Sequence, residues 1–177
     1  MKNSKIKYMT LSAVMTALTV VLAQIAIPVP LGVPITLQTF AIALCGYLLG
    51  AKYGFISTVI YVTLGAIGVP VFSHFQGGIH HIFASPTGGF ILGFIFISLF
   101  SGLSSLFKWQ KNGNIYSVLL GLCGVALCHL CGAMQYASIA ALPFTTALLT
   151  VSLPFILKDI LSVIISYLLA VKLRKLI

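Results

Sequence analysis

The single acidic residue of this sequence, Asp159, directly follows a lysine, Lys158. Both residues fall in an apolar run, where inserting a charge into a membrane costs roughly 2.5–3.5 kcal/mol. Adjacent residues on a helix point about 100° apart. We therefore expect one side chain to face the interior of a helix bundle and the other to extend toward the outer interface. This costly pair predicts a binding role, and a purely structural ion pair is the alternative.

A second group of polar residues follows a proline-rich segment. Three prolines between residues 28 and 34 interrupt the apolar sequence, because proline lacks an N–H donor. Thr36, Gln38 and Thr39 come next. Irregular backbone at membrane depth is tolerated only where it is buried in protein or lines a cavity. The pattern therefore predicts ligand contacts from Gln38 and Thr39, while Thr36 is equally suited to capping a helix.

Residues 68–86 form a long connection that is rich in glycine, histidine and phenylalanine. Glycines allow tight bends, and Phe72, Phe75 and Gln76 are suited to covering a ligand. The residues Gly88-Gly89 that follow permit close approach of a ligand or of another backbone. We interpret the segment as a lid on the outer side. A loop that only packs on the outer surface is the alternative.

Histidines and cysteines raise the question of a metal site. His74, His80 and His81 do not have a standard ligand spacing, and no thiolate or carboxylate is near them in sequence. The Cys-His-Leu-Cys run at 128–131 lacks a second cysteine pair. We therefore predict no metal site and interpret the cysteines as small buried hydrophobic residues. His129 is interpreted as a polar group that faces the bundle.

The composition indicates the elements that must position these residues. The 177 residues are 60% hydrophobic and 6% charged, with a mean hydropathy of +1.16. Soluble domains carry about a quarter charged residues, and disordered chains have far less apolar surface. We predict an all-α integral membrane protein that forms one domain over residues 1–177. Since a crossing needs about 20 apolar residues, six transmembrane helices are predicted, at 8–27, 36–51, 53–67, 87–107, 115–140 and 151–171.

The basic residues predict the orientation of these helices. Ten residues are Lys or Arg. All except Lys158 fall in segments on one side of the predicted membrane: Lys2, Lys5, Lys7, Lys52, Lys108, Lys111, Lys172, Arg174 and Lys175. The outer segments 28–34, 68–86 and 141–150 contain none. The positive-inside rule then makes both termini cytoplasmic. Because this charge is spread over several helix ends and forms no single groove, we predict no nucleic-acid partner.

Small residues of the first helix predict a helix contact. Ala13 and Ala17 are four residues apart, with Ser12 and Thr16 beside them. Such a face permits close contact with another membrane helix.

Together these segments resemble the BioY family, the substrate-binding (S) components of energy-coupling-factor (ECF) transporters for biotin. The matching sequences are Pro34-Ile-Thr-Leu-Gln-Thr39, Gly68-Val-Pro-Val-Phe72, Gly77-Gly78, Ser85-Pro-Thr-Gly-Gly-Phe90, and Pro154-Phe155 followed by Asp159. The sequence departs from the family pattern at three places. Ser85 replaces a glycine, Gln135-Tyr136 stands at a usual aromatic position, and Ser162 replaces a lysine that follows the acid.

The resemblance implies an S-component-like bundle in the plasma membrane of a prokaryote. It implies biotin as the transported ligand, no cofactor, and two kinds of partner: a transmembrane coupling (T) component and a pair of ABC-type ATPases. Ala13 and Ala17 are similar to the motif that S components use against the T component. The residues implied to bind biotin are Asp159, Lys158, Gln38, Thr39, Phe72, Phe75, Gln76, Gly77, Gly78, Thr87, Gly88, Gly89, Gln135 and Tyr136.

Other functions stay open at this point. An S component for another vitamin or for a biotin analogue shares the architecture. A small channel or secondary transporter usually has several intramembrane polar positions or inverted repeats, and we find no convincing repeated halves. An enzyme with paired carboxylates is excluded by the single acid, which leaves only histidine- or cysteine-based chemistry. The sequence has no Gly-x-x-x-x-Gly-Lys-Ser/Thr motif, so energy for uphill transport must come from a partner.

Overall fold

A computed structural model describes residues 2–30, 32–107 and 113–176. Long apolar helices dominate it, because a helix satisfies all backbone N–H and C=O groups within one segment when no water is available. In chain order the elements are α1 (Lys2–Ala23), β1 (Ala26–Ile27), β2 (Ile35–Thr36), α2 (Gln38–Ala66), α3 (Ile79–Phe83), α4 (Gly88–Leu103), α5 (Gly113–Ala140) and α6 (Phe144–Leu173), with short 3-10 helices at Ser73–Phe75 and Ser104–Phe107.

The helices confirm the predicted all-α membrane class. Five of those in the described ranges are long and apolar enough to cross a bilayer by length and composition. The count of six crossings and the cytoplasmic location of both termini stay predictions. Lys108 and Lys111, which contribute to the predicted orientation, lie outside the described residues.

Helix α2 is interrupted at Gly50, which divides it into two arms. Gly50 has φ +79° and ψ 174°, a backbone region that only glycine occupies readily. The arms then pack against each other: Gln38 Nε2 donates to Tyr61 Oη over 2.6 Å. In a straight helix these residues would be separated by about 34 Å. The predicted spans 36–51 and 53–67 thus correspond to two antiparallel arms, and the chain reverses at Gly50 and not at Lys52.

Other predicted boundaries need correction. Residues 26–27, assigned to the first span, pair as strand β1 with strand β2, which contains residue 36 of the second predicted span. The proline-rich segment between the strands turns the chain back. The predicted outer turn at 141–150 is shorter, since α6 begins at Phe144 directly after Pro143. The predicted loop at 68–86 contains α3 and a 3-10 turn.

Hydroxyl groups join α1 to the second arm of α2. Thr16 Oγ1 and Ser57 Oγ are 2.9 Å apart, and Ser57 Oγ donates to the Ser12 carbonyl over 3.0 Å. Lipid tails are as apolar as the side chains, so helix association in a membrane depends on such hydrogen bonds and on close packing. Ala13 and Ala17 point away from this contact and are exposed.

Glycines bring α4 against its neighbours on both sides. A Cβ atom at Gly93 would lie 2.6 Å from Cys128 Cα, and one at Gly124 would lie 2.9 Å from Ile97 Cα. No side chain larger than hydrogen fits at these crossings without displacing backbone. On the other side of α4, Gly46 of the first α2 arm packs against Ser101. These contacts place α4 between the first arm of α2 and α5.

The end of the bundle that is distant from Asp159 is closed by Arg174. Its guanidinium group donates to the Tyr47 carbonyl, near the end of the first α2 arm. The Tyr47 side chain is buried, and its Oη donates to the Ser117 carbonyl of α5 over 2.9 Å. Arg174, predicted only as an orientation signal, therefore also binds α6 to α2.

Gly50→Ala should destabilise the fold, because a Cβ atom strains this backbone conformation by about 1–3 kcal/mol, although no other atom lies within 4 Å of the added carbon. The melting temperature of the detergent-purified protein should fall. Lys52→Ala is the control, because the reversal does not lie at Lys52, and its melting temperature should equal that of the wild type. A lower melting temperature for Lys52→Ala alone contradicts the assignment of the reversal to Gly50.

Candidate functional site

The Asp159 carboxylate is buried in α6, with 5% of the residue exposed. Lys158 Nζ lies 2.5 Å from Oδ1, and His129 Nε2, from α5, lies 3.1 Å from Oδ2. Each oxygen therefore has a partner. A buried charge is tolerated only when it is paired in this way, since removal from water costs several kcal/mol.

Lys158 also points into the bundle, which corrects the expectation that the two adjacent side chains diverge. Its Nζ donates to the Thr36 carbonyl over 3.2 Å and to Thr39 Oγ1 over 3.4 Å. The long flexible lysine stem lets the ammonium group reach back to Asp159 despite the 100° offset of the two Cα–Cβ directions. Both charges thus belong to one site.

These charged groups lie at the wall of a cavity, which we name the inner cavity. Its volume is about 50 Å³. Carboxylate, ammonium, imidazole, amide and hydroxyl groups occupy one part of its wall and aromatic rings another. The lining residues are Val33, Pro34, Thr36, Gln38, Thr39, Phe72, Ser73, Thr87, Phe90, Ile91, Phe94, His129, Phe155, Lys158 and Asp159. An apolar pocket with a few converging polar groups is typical of a small-molecule site.

A second cavity of about 240 Å³, the outer cleft, adjoins the first. The two cavities share Pro34, Ser73 and Thr87. The residues that line the outer cleft are Pro28, Val29, Gly32, Pro34, Ser73, His74, Gln76, His81, Ser85, Pro86 and Thr87. The proline-rich segment and the 68–86 segment thus form opposite walls of an approach to the charged groups.

A hydrogen-bond network fixes the orientation of the Gln38 amide. Thr36 Oγ1 donates to Gln38 Oε1 over 2.9 Å, and Gln38 Nε2 donates to Tyr61 Oη. Tyr61 Oη in turn donates to the Val71 carbonyl over 3.1 Å. The network joins both α2 arms to the start of the 68–86 segment. Tyr61 is fully buried, and sequence reasoning did not identify it.

Phe72 and His81 separate the inner cavity from the outer cleft. The Phe72 ring is fully buried and stacks on the His81 ring, with centroids 5.7 Å apart. His81 Nε2 lies 3.1 Å from Thr87 Oγ1. Burial lowers the pKa of His81, and the neighbouring His80 lowers it further, so the neutral ring is favoured. An uncharged, stacked ring pair therefore closes the charged site from outside.

The 68–86 segment is held to α1 by Gln24. Its Nε2 donates to the Phe72 carbonyl over 3.1 Å, and its Oε1 accepts from the Phe75 backbone N–H over 2.9 Å. These bonds involve few groups, and the Phe75 side chain itself is 71% exposed. The segment is anchored unevenly, because Val71, Phe72 and Ile82 are buried in the core whereas Phe75 and Ile79 between them are exposed. This exposed part separates from the bundle more easily than a packed helix does.

The structure brings six of the predicted site residues to the inner cavity: Gln38, Thr39, Phe72, Thr87, Lys158 and Asp159. The other eight do not line it. Gln76 lines the outer cleft, and Phe75 is exposed. Gly77 and Gly78 precede α3.

The predicted residues near α5 have packing roles in this structure. Gln135 Nε2 donates to the carbonyls of Ile82 and Ser85, over 2.7 and 3.0 Å. A Cβ at Gly89 would lie 3.0 Å from Gln135 Cβ, and one at Gly88 would overlap the Ile82 carbonyl oxygen and lie 2.5 Å from Gln135 Nε2. Tyr136 is half-buried against the core. Gly88, Gly89 and Gln135 thus support α3 and the start of α4, and none of the four residues lines the inner cavity.

The cysteines are free thiols. Cys45 and Cys128 are buried as predicted, but Cys123 is exposed on α5, because it faces away from the neighbouring helices. Across residues 2–30, 32–107 and 113–176, no three His, Cys, Asp or Glu side chains come together to hold a metal ion.

His129 is the site residue that sequence reasoning left without a specific role. Its only sequence signal is a polar side chain in an apolar helix. Its partner Asp159 is 30 residues away, so their pairing depends on how α5 packs on α6. Phe90, Phe94 and Phe155 also line the inner cavity. In the sequence they resemble any other apolar residue of a membrane helix, because only helix packing determines which of these residues face the cavity.

A sequence model of the BioY family matches residues 1–177. The chain belongs to the BioY family. Among curated BioY proteins, a probable biotin transporter of Pyrococcus horikoshii is 39% identical over 170 residues, covering 96% of this chain and 98% of the relative. The biotin transporter of Thermotoga maritima is 35% identical over 166 residues, covering 93% and 94%.

The fold of this BioY chain also matches a solved structure. The crystal structure of the S-component for biotin from an ECF-type ABC transporter aligns with a TM-score of 0.89 and 32% identity, covering 99% of this chain and 94% of that one. The chain therefore has the ECF S-component fold. With its membrane-length helices and transporter relatives, it is a multi-pass membrane protein of a prokaryotic plasma membrane.

Lys158→Met and Asp159→Asn should each lower the melting temperature of this BioY protein, because each leaves a buried charge without its main partner. The loss in free energy of unfolding should stay below the roughly 3–5 kcal/mol that follows when one partner of a fully buried ion pair is removed, since the Lys158 side chain is 25% exposed. The double variant should recover most of the loss. Lys52→Met, the same change at an exposed lysine, is the control. Additive losses in the double variant would show that the two charges do not stabilise each other.

Proposed function

We propose that this chain binds biotin in the inner cavity and delivers it across the membrane as the S component of an ECF-type transporter. The observation that carries the proposal is the Lys158–Asp159 ion pair buried in an aromatic-lined cavity. The names of its relatives and of the matching crystal structure support biotin as the ligand.

The chemistry of biotin suits the two parts of the cavity wall. Its ureido ring offers two N–H donors and a carbonyl oxygen, and its acyl chain ends in a carboxylate. A carboxylate that accepts from N–H groups in low dielectric forms strong charge-assisted hydrogen bonds. The ureido ring and the carboxylate are at opposite ends of biotin, so we propose that Lys158 leaves its ion pair with Asp159 as the ligand enters. Asp159 then accepts from the ureido N–H groups, Lys158 contacts the carboxylate, and Gln38, Thr39 and Thr87 make the remaining polar contacts.

The apolar part of biotin would then contact Phe72, Phe90 and Phe155, which line the inner cavity. Aromatic rings contribute large apolar contact areas with few rotatable bonds. No catalytic residue is assigned, because the proposed role is capture and transport of an unaltered ligand.

The size of the inner cavity implies that ligand entry requires movement. About 50 Å³ accommodates only a few water molecules, whereas biotin is a bicyclic ring system with a five-carbon chain. We propose that the 68–86 segment acts as the lid, with Phe72 leaving its stack on His81 as the cavity opens. In this arrangement Phe75, Gln76, Gly77 and Gly78 contact biotin only as the lid rearranges around it.

The remaining residues implied by family resemblance keep a supporting role in this proposal. Gly88, Gly89 and Gln135 hold α3 and the first turn of α4 in position, and Tyr136 packs against the core. Thr87, at the wall of the inner cavity, directly precedes α4. Gly88, Gly89 and Gln135 therefore influence biotin binding through Thr87.

The partners form the second part of the proposal. We propose that a T component and a pair of ABC-type ATPases supply the energy, since the sequence has no phosphate-binding motif of its own. The exposed α1 face with Ala13 and Ala17 is the proposed contact with the T component. The proposed topology has six crossings, with the α2 arms as the second and third, and both termini in the cytoplasm.

Biotin binding to the detergent-purified protein tests the ligand and the site together. Asp159→Asn should weaken binding by about 10- to 100-fold, since a hydrogen bond to a charged group contributes about 1.5–3 kcal/mol. Lys52→Ala is the control and should bind like the wild type. The variant Lys158→Met/Asp159→Asn leaves no unpaired charge, so weak binding there is not a folding defect.

Competition identifies the ligand class. Dethiobiotin, thiamine and riboflavin should displace labelled biotin less effectively than biotin does. Tighter binding of one of these compounds would instead make the chain an S component for that ligand. Wild-type biotin affinity in both Asp159→Asn and the double variant would exclude the proposed site.

Ala13→Leu and Ala17→Leu should abolish biotin uptake by cells that contain the T component and ATPases, because leucine prevents close helix contact. Biotin binding to the isolated variants should be unchanged, since both positions are exposed and distant from the inner cavity. Ala140→Leu, the same change at an exposed position of α5, should leave uptake intact. Loss of binding in the α1 variants would instead indicate that this face is internal packing.

A further inference from the structure

The proposed function gives His129 no role, although its ring lines the inner cavity. It also lines a separate groove between α5 and α6, of about 560 Å³, whose wall is otherwise apolar except for Ser152. The His129 side chain is 8% exposed. It also contacts Phe90 of α4 edge-to-face, with centroids 5.7 Å apart. The ring thus stands between the charged site and the side of the bundle.

The two ring nitrogens of His129 have different surroundings. Nε2 is bonded to Asp159, whereas Nδ1 is buried without a hydrogen-bond partner among the described residues. Ser152 Oγ, in the same groove, is likewise buried without a partner there. Protonation makes Nδ1 a second donor. Both atoms are therefore unpaired, and they form no hydrogen bond with each other in this structure.

The charge balance of the inner cavity changes when a carboxylate ligand enters. Lys158 and Asp159 are the charged pair of α6, and they cancel each other. Of the described groups on the other packed elements, α2 presents the neutral Gln38 and Thr39, and α4 with its cap presents Thr87 and Phe90. A ligand carboxylate that takes Lys158 as its partner therefore leaves Asp159 with no cation beside it, and the low-dielectric site then has one net negative charge, which is costly.

Two further titratable groups lie on the same helix as His129, and a third lies in the outer cleft. Cys128 precedes it on α5, is buried, and donates its S–H to the Phe90 carbonyl. Cys131 is on the same helix and only partly buried. His81 lies beyond Phe72, in the outer cleft. Only imidazole ordinarily changes its charge between about pH 5 and 8, so the candidates for compensating the ligand are His129 and, farther out, His81.

Building on the proposed function, we infer that His129 takes up one proton from solution when the inner cavity receives a carboxylate ligand, so that biotin binding is coupled to protonation. The proton restores the neutrality that the carboxylate removes. Because the bound state then holds more protons than the free state, binding strengthens as pH falls, by up to about tenfold per pH unit when uptake is complete.

Isothermal titration calorimetry between about pH 5.5 and 8.5 tests this coupling on the full-length protein. Wild-type Kd should fall about tenfold or more as the pH is lowered from 8.5 to 5.5, and titrations in buffers of different ionisation enthalpy should detect proton uptake. His129→Gln retains a hydrogen-bond donor toward Asp159 but cannot titrate, so its Kd should vary less than about twofold. His81→Gln is the matched control and should keep the wild-type dependence. Biotin methyl ester, which lacks the carboxylate, should bind the wild type without proton uptake.

The outcomes separate this inference from the proposed function. Absence of wild-type biotin binding at every pH excludes the proposed function itself. Biotin binding that is independent of pH, or a dependence that His129→Gln retains, overturns the proton coupling alone. Loss of the dependence in His81→Gln overturns the assignment to His129. If His129→Gln does not fold, proton uptake by the wild type with biotin but not with its methyl ester supports the coupling, and equal uptake with both ligands overturns it.

Discussion

The Asp159 carboxylate lies among apolar helices, where an anion is stable only while its partners hold it. Lys158 neutralises it and extends to the Thr36 carbonyl, which links α6 to the strand before α2. His129 contacts the other oxygen from α5. One buried charge therefore fixes the relative positions of three parts of the chain, and the inner cavity exists where they meet.

The remaining helices hold this arrangement through contacts suited to lipid. Because a bilayer gives no hydrophobic advantage to helix association, close packing and hydroxyl hydrogen bonds must supply the stability. Thr16 and Ser57 join α1 to α2, while Gly93 and Gly124 allow α4 and α5 to touch. The result is close packing of α1 on α2 and of α4 on α5, whereas a groove between α5 and α6 reaches His129 at the charged site.

The outer side of the site is built differently. There Phe72 is buried and stacks on His81, and hydrogen bonds from Gln24, Tyr61 and Gln135 hold the 68–86 segment against the helices. A BioY protein that takes up a ligand from outside needs this contrast, because its binding groups must stay ordered while their cover opens. The division between closely packed helices and a connecting segment with exposed side chains such as Phe75 and Phe83 is thus the physical basis of the proposed transport role.

Hydropathy alone was sufficient to predict the all-α membrane class, because lipid requires continuous apolar helices, and the cost of burying charge singled out Lys158 and Asp159. Tertiary structure decided what depends on contacts between distant residues. The Gly50 backbone reverses α2, His129 meets Asp159 across 30 residues, and Gln135 binds the α3 carbonyls while Phe75 is exposed. Local sequence determines which residues belong in lipid, but the partner of each polar group depends on how the helices pack.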